Sequence, residues 1–182
     1  MSEEHEVLTY PDFGIAVREV AQMIVDDGFI PDIIMCIARG GLPFGGALGY
    51  ALDIKQITEM NVEFYTGVND RLPTPILLPP SPQPHDLRDL KVLIADDVSD
   101  TGTTLKFTQD FLQQYAAETR TAVIYEKPHT RLHADFVWRY TDRWIDFPWS
   151  TLPPVTRRSR AEAEASAGAE AAEAREPEAD PA

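Results

Sequence analysis

Val92-Leu93-Ile94-Ala95-Asp96-Asp97-Val98-Ser99-Asp100-Thr101-Gly102-Thr103-Thr104-Leu105 is the stretch that decides the fold. Val92 to Ala95 is a short apolar run of the kind that forms a buried strand. Two adjacent carboxylates end the run, and a turn of small hydroxyl residues around Gly102 follows. Leu105, Phe111, Leu112 and Tyr115 then suggest a helix. A helix start offers free N–H groups to a phosphate dianion. Gly102 lets the backbone approach closely, and Thr101, Thr103 and Thr104 can donate hydroxyl hydrogen bonds to phosphate oxygens. Asp96 and Asp97 can accept from sugar hydroxyls, directly or through Mg²⁺. The segment reads as a sugar-phosphate loop.

The neighbouring sequence alternates helix and strand. Pro11-Asp12 marks a helix start with Asp12 as N-cap, Ala16, Val20, Met23 and Ile24 keep helical spacing, and Gly28 is the stop. Ile33 to Ala38 is a second buried-strand run, beside Gly40-Gly41, and Leu42 to Leu52 is a small apolar helix. Met60, Val62 and Phe64 alternate with polar residues as in a half-buried strand. Residues 66–86 hold Pro73, Pro75, Pro79, Pro80, Pro82 and Pro84 and read as a long loop, a candidate lid. Ala122 to Tyr125 is a further strand, and aromatics crowd residues 134–149. This order implies an α/β fold with an open, mainly parallel sheet flanked by helices. Ligands of such sheets sit at the carboxyl ends of the strands. Residues 1–156 form the expected domain, and 157–182 an Ala/Glu-rich tail with no apolar stripe to dock it, read as disordered.

Composition narrows the function. The chain has 182 residues, enough for one core, and a formal net charge of −14 that repels nucleic-acid phosphates and anionic lipids. Neither a nucleic-acid nor a membrane partner is expected. The single cysteine, Cys36, lies in an apolar run and reads as a buried hydrophobe. The acidic start Met1-Ser2-Glu3-Glu4 lacks the apolar stretch of a signal peptide, and the expected location is the cytoplasm.

The segment 92–105 resembles the binding motif for phosphoribosyl pyrophosphate (PRPP) in type I phosphoribosyltransferases: a hydrophobic strand, an acidic pair, two residues, Asp-Thr-Gly, one residue, Thr. Receiver domains of signalling proteins also carry an acidic pair and a Lys-Pro. Here too little chain separates Asp97 from Lys127 for that topology. Ala38-Arg39-Gly40-Gly41-Leu42 resembles the pyrophosphate loop of bacterial xanthine-guanine and archaeal purine enzymes, and that likeness places a non-proline cis peptide at Ala38–Arg39. Trp144-Ile145-Asp146-Phe147-Pro148-Trp149 resembles their Trp-Ile-x-x-Pro-Trp segment. The likeness spans about residues 5–152 and implies that family's fold with a small hood.

The resemblance assigns roles. PRPP is held by Asp96, Asp97, Asp100, Thr101, Gly102, Thr103 and Thr104, and its pyrophosphate by Ala38, Arg39 and Gly40. Asp100 is the candidate general base for the purine N7 proton. Lys127 donates to an O6 atom, Trp144 stacks on the base, and Ile145 contacts its edge through the backbone. Mg²⁺ is the implied cofactor, with Asp96 and Asp97 as metal-associated carboxylates, and a homo-oligomer is implied by family habit. The implied reaction joins a 6-oxopurine to PRPP, giving a nucleoside 5′-monophosphate and pyrophosphate. A sensor of PRPP or a nucleotide with the same fold is the alternative. One position departs from the pattern: Ser150 stands where such enzymes carry a carboxylate after Pro-Trp, and a hydroxyl is a poorer Mg²⁺ ligand. Asp146 is the carboxylate nearest to it in sequence.

Overall fold

In a computed structural model, the structure describes residues 5–67, 70–78 and 84–155. The tail expected at 157–182 and residues 68–69 and 79–83 of the Pro-rich segment lie outside the described residues. The element order is β1 (Glu6–Val7), α1 (Tyr10–Asp26), β2 (Ile33–Ala38), α2 (Gly41–Leu52), β3 (Ile57–Gly67), β4 (Asp70–Leu78), a 3-10 turn (Pro84–Leu87), β5 (Lys91–Ser99), α3 (Thr103–Leu112), β6 (Glu118–Glu126), β7 (Phe136–Tyr140) and β8 (Ile145–Asp146).

Six strands form one sheet in the order β4-β3-β2-β5-β6-β7. All neighbours run parallel except β3 and β4, which pair antiparallel. Parallel strands covered on both faces must be apolar throughout. Cys36 at 0% exposure pairs with Ala95, also at 0%, and Ala95 in turn with Ala122. On one face α1 and α2 lay Ala16, Val20, Ile24, Phe44 and Leu48 against Ile34, Cys36, Leu93 and Ile124. On the other, Leu105 and Leu112 of α3 cover Met35, Ile94 and Val123. β1 and β8 form a separate two-stranded parallel sheet, the hood.

Local rules explain most boundaries and three corrections. Thr9, not Asp12, is the N-cap of α1: its side chain accepts from the Asp12 N–H at 3.2 Å, and Pro11 occupies the first turn, where a missing donor costs nothing. Gly28 ends the helix at φ +78°, with Gly28 N–H on Val25 O and Phe29 N–H on Ile24 O, a Schellman closure. The second correction concerns residues 66–86. Asp70–Leu78 is a strand hydrogen-bonded to β3, prolines included. β4 is the sheet edge, where one side of the backbone needs no partner, so Pro73 and Pro75 are tolerated. The third is that β5 does not stop at Ala95. It continues through Asp96 and Asp97 to Ser99 because β6 pairs with it as far as Ser99↔Glu126.

Helix α2 contains no charged residue and owes its position to glycine. A Cβ on Gly41 would stand 2.3 Å from Ala95 O, and one on Gly45 2.3 Å from Cys36 Sγ. The helix therefore lies directly on β2 and β5. The strand order reverses direction between β2 and β5, the place where an open α/β sheet forms its binding crevice. The loops after Ala38 and Ser99 both emerge there.

Candidate active site

The peptide Ala38–Arg39 is cis, as expected. Beyond it Arg39 is exposed and Gly40 faces the acidic pair. A Cβ on Gly40 would lie 2.2 Å from Asp97 Oδ2, so glycine is what lets the loop after β2 touch the end of β5.

Asp96 is buried, and its carboxyl is pushed well above the ordinary carboxylate range by burial and by the adjacent Asp97. Asp97 keeps some access to solvent, but its carboxylate is hemmed in, and burial pushes it up to about 6. Hydrogen bonds from the Val98 backbone and the Trp149 side chain oppose that rise. Two adjacent carboxylates held against their preferred ionisation are an oxygen-only donor set that a cation or sugar hydroxyls would relieve, and Mg²⁺ chemistry fits it.

The turn after Ser99 is tightly packed and hydrogen-bonded. Gly102 sits at φ +74°, and a Cβ there would come within 2.5 Å of Thr130 Oγ1 and 2.8 Å of Leu132 N. The Thr101 and Thr103 hydroxyls bond each other at 2.9 Å, the Thr103 N–H reaches Thr101 Oγ1 at 3.4 Å, and the N-cap Gly102 has no side chain to engage the N–H groups that follow. The turn is tied to the segment after β6 by Lys127 N–H on Ser99 O (2.9 Å), Arg131 N–H on Thr101 O (3.0 Å) and Ser99 Oγ against Thr130 Oγ1 (2.9 Å).

A cleft of about 1000 Å³ opens beside this turn, lined among others by Asp100, Lys127, His129, Trp144, Ile145 and Ser150. It brings together Asp100, Lys127, Trp144 and Ile145. Asp96, Asp97, Thr101–Thr104 and Ala38–Gly40 lie outside its lining. Lys127 Nζ donates to the Arg143 carbonyl, so the ammonium is held next to the Trp144 backbone. Trp144 is 68% exposed, which for a tryptophan at a cleft leaves ring surface free for a ligand. Ile145 is buried in β8, which β1 holds through Glu6 N–H on Trp144 O (2.8 Å) and Leu8 N–H on Asp146 O (3.1 Å). Phe147 stacks on Trp149 at 5.0 Å, and Trp149 reaches Asp97, linking the cleft wall to the acidic pair. Ser150 lines the cleft with Asp146, whose carboxylate pairs with His5 at 2.9 Å.

Sequence reading passed over His129, Asp142 and Arg143, all on the cleft wall. Their only signal was proximity in sequence to Lys127 and Trp144.

The profile of the phosphoribosyl transferase domain matches residues 4–154. Purine phosphoribosyltransferase from Pyrococcus horikoshii Ot3 superposes with a TM-score of 0.72 at 30% identity, over 84% of this chain and 99% of that one. A hypothetical protein from Neisseria gonorrhoeae with bound ppGpp gives a TM-score of 0.71 at 23% identity over 91% and 99%. The xanthine-guanine-hypoxanthine phosphoribosyltransferase of Helicobacter pylori gives 0.67 at 21% over 80% and 93%. The second and third likenesses speak to the fold. With the domain match covering both the acidic turn and the Trp-Ile wall, the chain belongs to the phosphoribosyl transferase domain family and is a phosphoribosyltransferase.

Proposed function

We propose that the protein transfers the 5-phosphoribosyl group from PRPP to a 6-oxopurine, in purine salvage. The observation that carries this reading is the cleft itself: Asp100, the Lys127 ammonium and the exposed Trp144 line one space beside the Gly102 turn. A purine stacked on Trp144 meets an ammonium donor, which suits an oxo group and opposes the amino group of adenine, itself a donor. The Ile145 backbone lies along the same wall.

The chemistry separates charge. The ring nitrogen N9 of the base forms a bond to C1′ as the C1′–O bond to pyrophosphate breaks, its electron pair staying on pyrophosphate. The N7 proton passes to Asp100. Arg39 and the N–H groups of Gly40 and Gly41 face the departing anion. Asp96 and Asp97 accept from the ribose hydroxyls, and Thr101, Thr103, Thr104 and the start of α3 take the 5′-phosphate. Bound Mg²⁺ would supply positive charge to the pyrophosphate oxygens, with Asp96 and Asp97 as the residues that would hold it.

The test is a screen for pyrophosphate release with PRPP and Mg²⁺ against hypoxanthine, guanine, xanthine and adenine. Release is expected with at least one 6-oxopurine and not with adenine. Tight PRPP binding without release with any base would replace this reading with a PRPP sensor. Lys127→Ala should raise KM for the 6-oxopurine by about tenfold, the worth of one charge-assisted hydrogen bond, and leave KM for PRPP within about twofold. Unchanged selectivity in that variant would remove Lys127 from base recognition.

A further inference from the structure

We infer that His129 is a positioning residue for Asp100: its Nε2–H fixes one carboxylate oxygen so that the other points at the base. The inference rests on the proposed transfer reaction and adds a residue that the sequence pattern did not single out.

The pair is close. His129 Nε2 stands 2.8 Å from Asp100 Oδ1, and both side chains face the cleft. An ionised carboxylate only accepts, so the imidazole donates through Nε2. Oδ1 is thereby engaged, and Oδ2 is left to take the N7 proton.

The backbone makes this contact a consequence of the fold rather than of two mobile side chains. His129 lies in the turn that follows β6, and that turn is fixed on both sides. Lys127 N–H bonds Ser99 O before it, and Arg131 N–H bonds Thr101 O after it. Thr130, 8% exposed, is buried between them, its hydroxyl against Ser99 Oγ at 2.9 Å and on Leu132 O at 3.0 Å. Asp100 lies between Ser99 and Thr101, the two residues so anchored. The turn bearing Lys127 and the turn bearing Asp100 form one block, and His129 closes it on the cleft side.

The pair is about 60% exposed, so by itself it adds little to stability. Its effect arises when a base fills the cleft and excludes water. A carboxylate free to rotate must then be oriented at the expense of the reaction, whereas one already held is aligned. The charged groups that share the cleft are Lys127, Arg143, Asp142 and Asp146. His129, with Nε2 2.8 Å from Asp100 Oδ1, is the side chain placed to orient it.

The experiment compares wild type, His129→Ala and His129→Gln in steady-state pyrophosphate release, with PRPP affinity measured separately by calorimetry. His129→Ala should lose about tenfold in kcat, the usual order for loss of an orienting partner, with PRPP affinity within twofold of wild type. Glutamine can place an N–H near the Nε2 position, so His129→Gln should recover kcat to within about threefold. In an Asp100→Asn background, adding His129→Ala should cost almost nothing, since the two act as one unit. Unchanged kcat in His129→Ala, equal loss in the alanine and glutamine variants, or a full additional loss in the double variant each overturns the inference. A wild type that releases no pyrophosphate with any base overturns the parent reading instead.

Discussion

Asp97→Asn should make the ligand-free protein more stable at pH 8 while weakening its hold on PRPP. The carboxyl of Asp97 ordinarily titrates at 3.8, and burial beside Gly40 lifts it to about 6 in the folded chain. An acid whose folded value is raised binds its proton more tightly in the native state than in the unfolded one. At pH below about 4 both states are protonated and nothing is lost. Between about 4 and 6 the native state holds the extra proton, so stability falls as pH rises, and above about 6 the whole penalty is in place. A displacement of that size corresponds to about 2–3 kcal/mol. Asparagine cannot ionise, and its oxygen can still accept from Val98 and Trp149. Chemical denaturation at pH 8 should therefore show the variant more stable by up to that amount, with the advantage vanishing near pH 4. The same substitution should cost roughly tenfold or more in PRPP affinity, the worth of a charge-assisted hydrogen bond to the ribose. A variant no more stable than wild type at pH 8 would mean that Asp97 is not held under electrostatic duress.

Asp100→Asn should act in the opposite way, on turnover and not on binding. Its side chain is exposed on the cleft wall, so its removal leaves the core and the acidic pair untouched. Asparagine keeps the shape and a hydrogen bond but cannot take a proton. The expected result is a fall in kcat on the order of 10²–10³-fold, the range for loss of one general base, with PRPP affinity within about threefold of wild type. Equal losses in kcat and in PRPP affinity would show that Asp100 binds the sugar and does not accept the proton.

Sequence patterns carried the parallel sheet and the loops at its carboxyl edge because both depend on local signals. A strand buried on both faces must be continuously apolar, and a backbone that meets phosphate needs Gly102 and its hydroxyl neighbours. β4 was hidden because Pro73 and Pro75 oppose strand formation everywhere except an edge, and edge position is a property of the whole sheet. The length of β5 was hidden for a similar reason. Asp96 and Asp97 disfavour a strand, and pairing with β6 overrides them. The Thr9 cap lay three residues from the expected one and could have been read from the threonine before Tyr10-Pro11. His129 had no signal of its own, because its meaning comes from a contact across 29 residues of chain.

The two walls of the cleft are anchored in different ways. Ser99, Thr101, Lys127, Thr130 and Arg131 lock the turn bearing Asp100 and the turn bearing Lys127 into a single unit at the carboxyl edge of the main sheet. Trp144 to Asp146 hang instead on the opening residues of the chain, through Glu6 and Leu8. On the proposed function, divergence in base preference among descendants of this protein would therefore have a path of least resistance. Replacements between residues 142 and 146 would then reshape what the ring and its neighbours accept, while the half proposed to handle the sugar would pass unchanged from parent to daughter sequence. By the same logic Glu6 to Leu8 would be inherited together with the proposed base pocket.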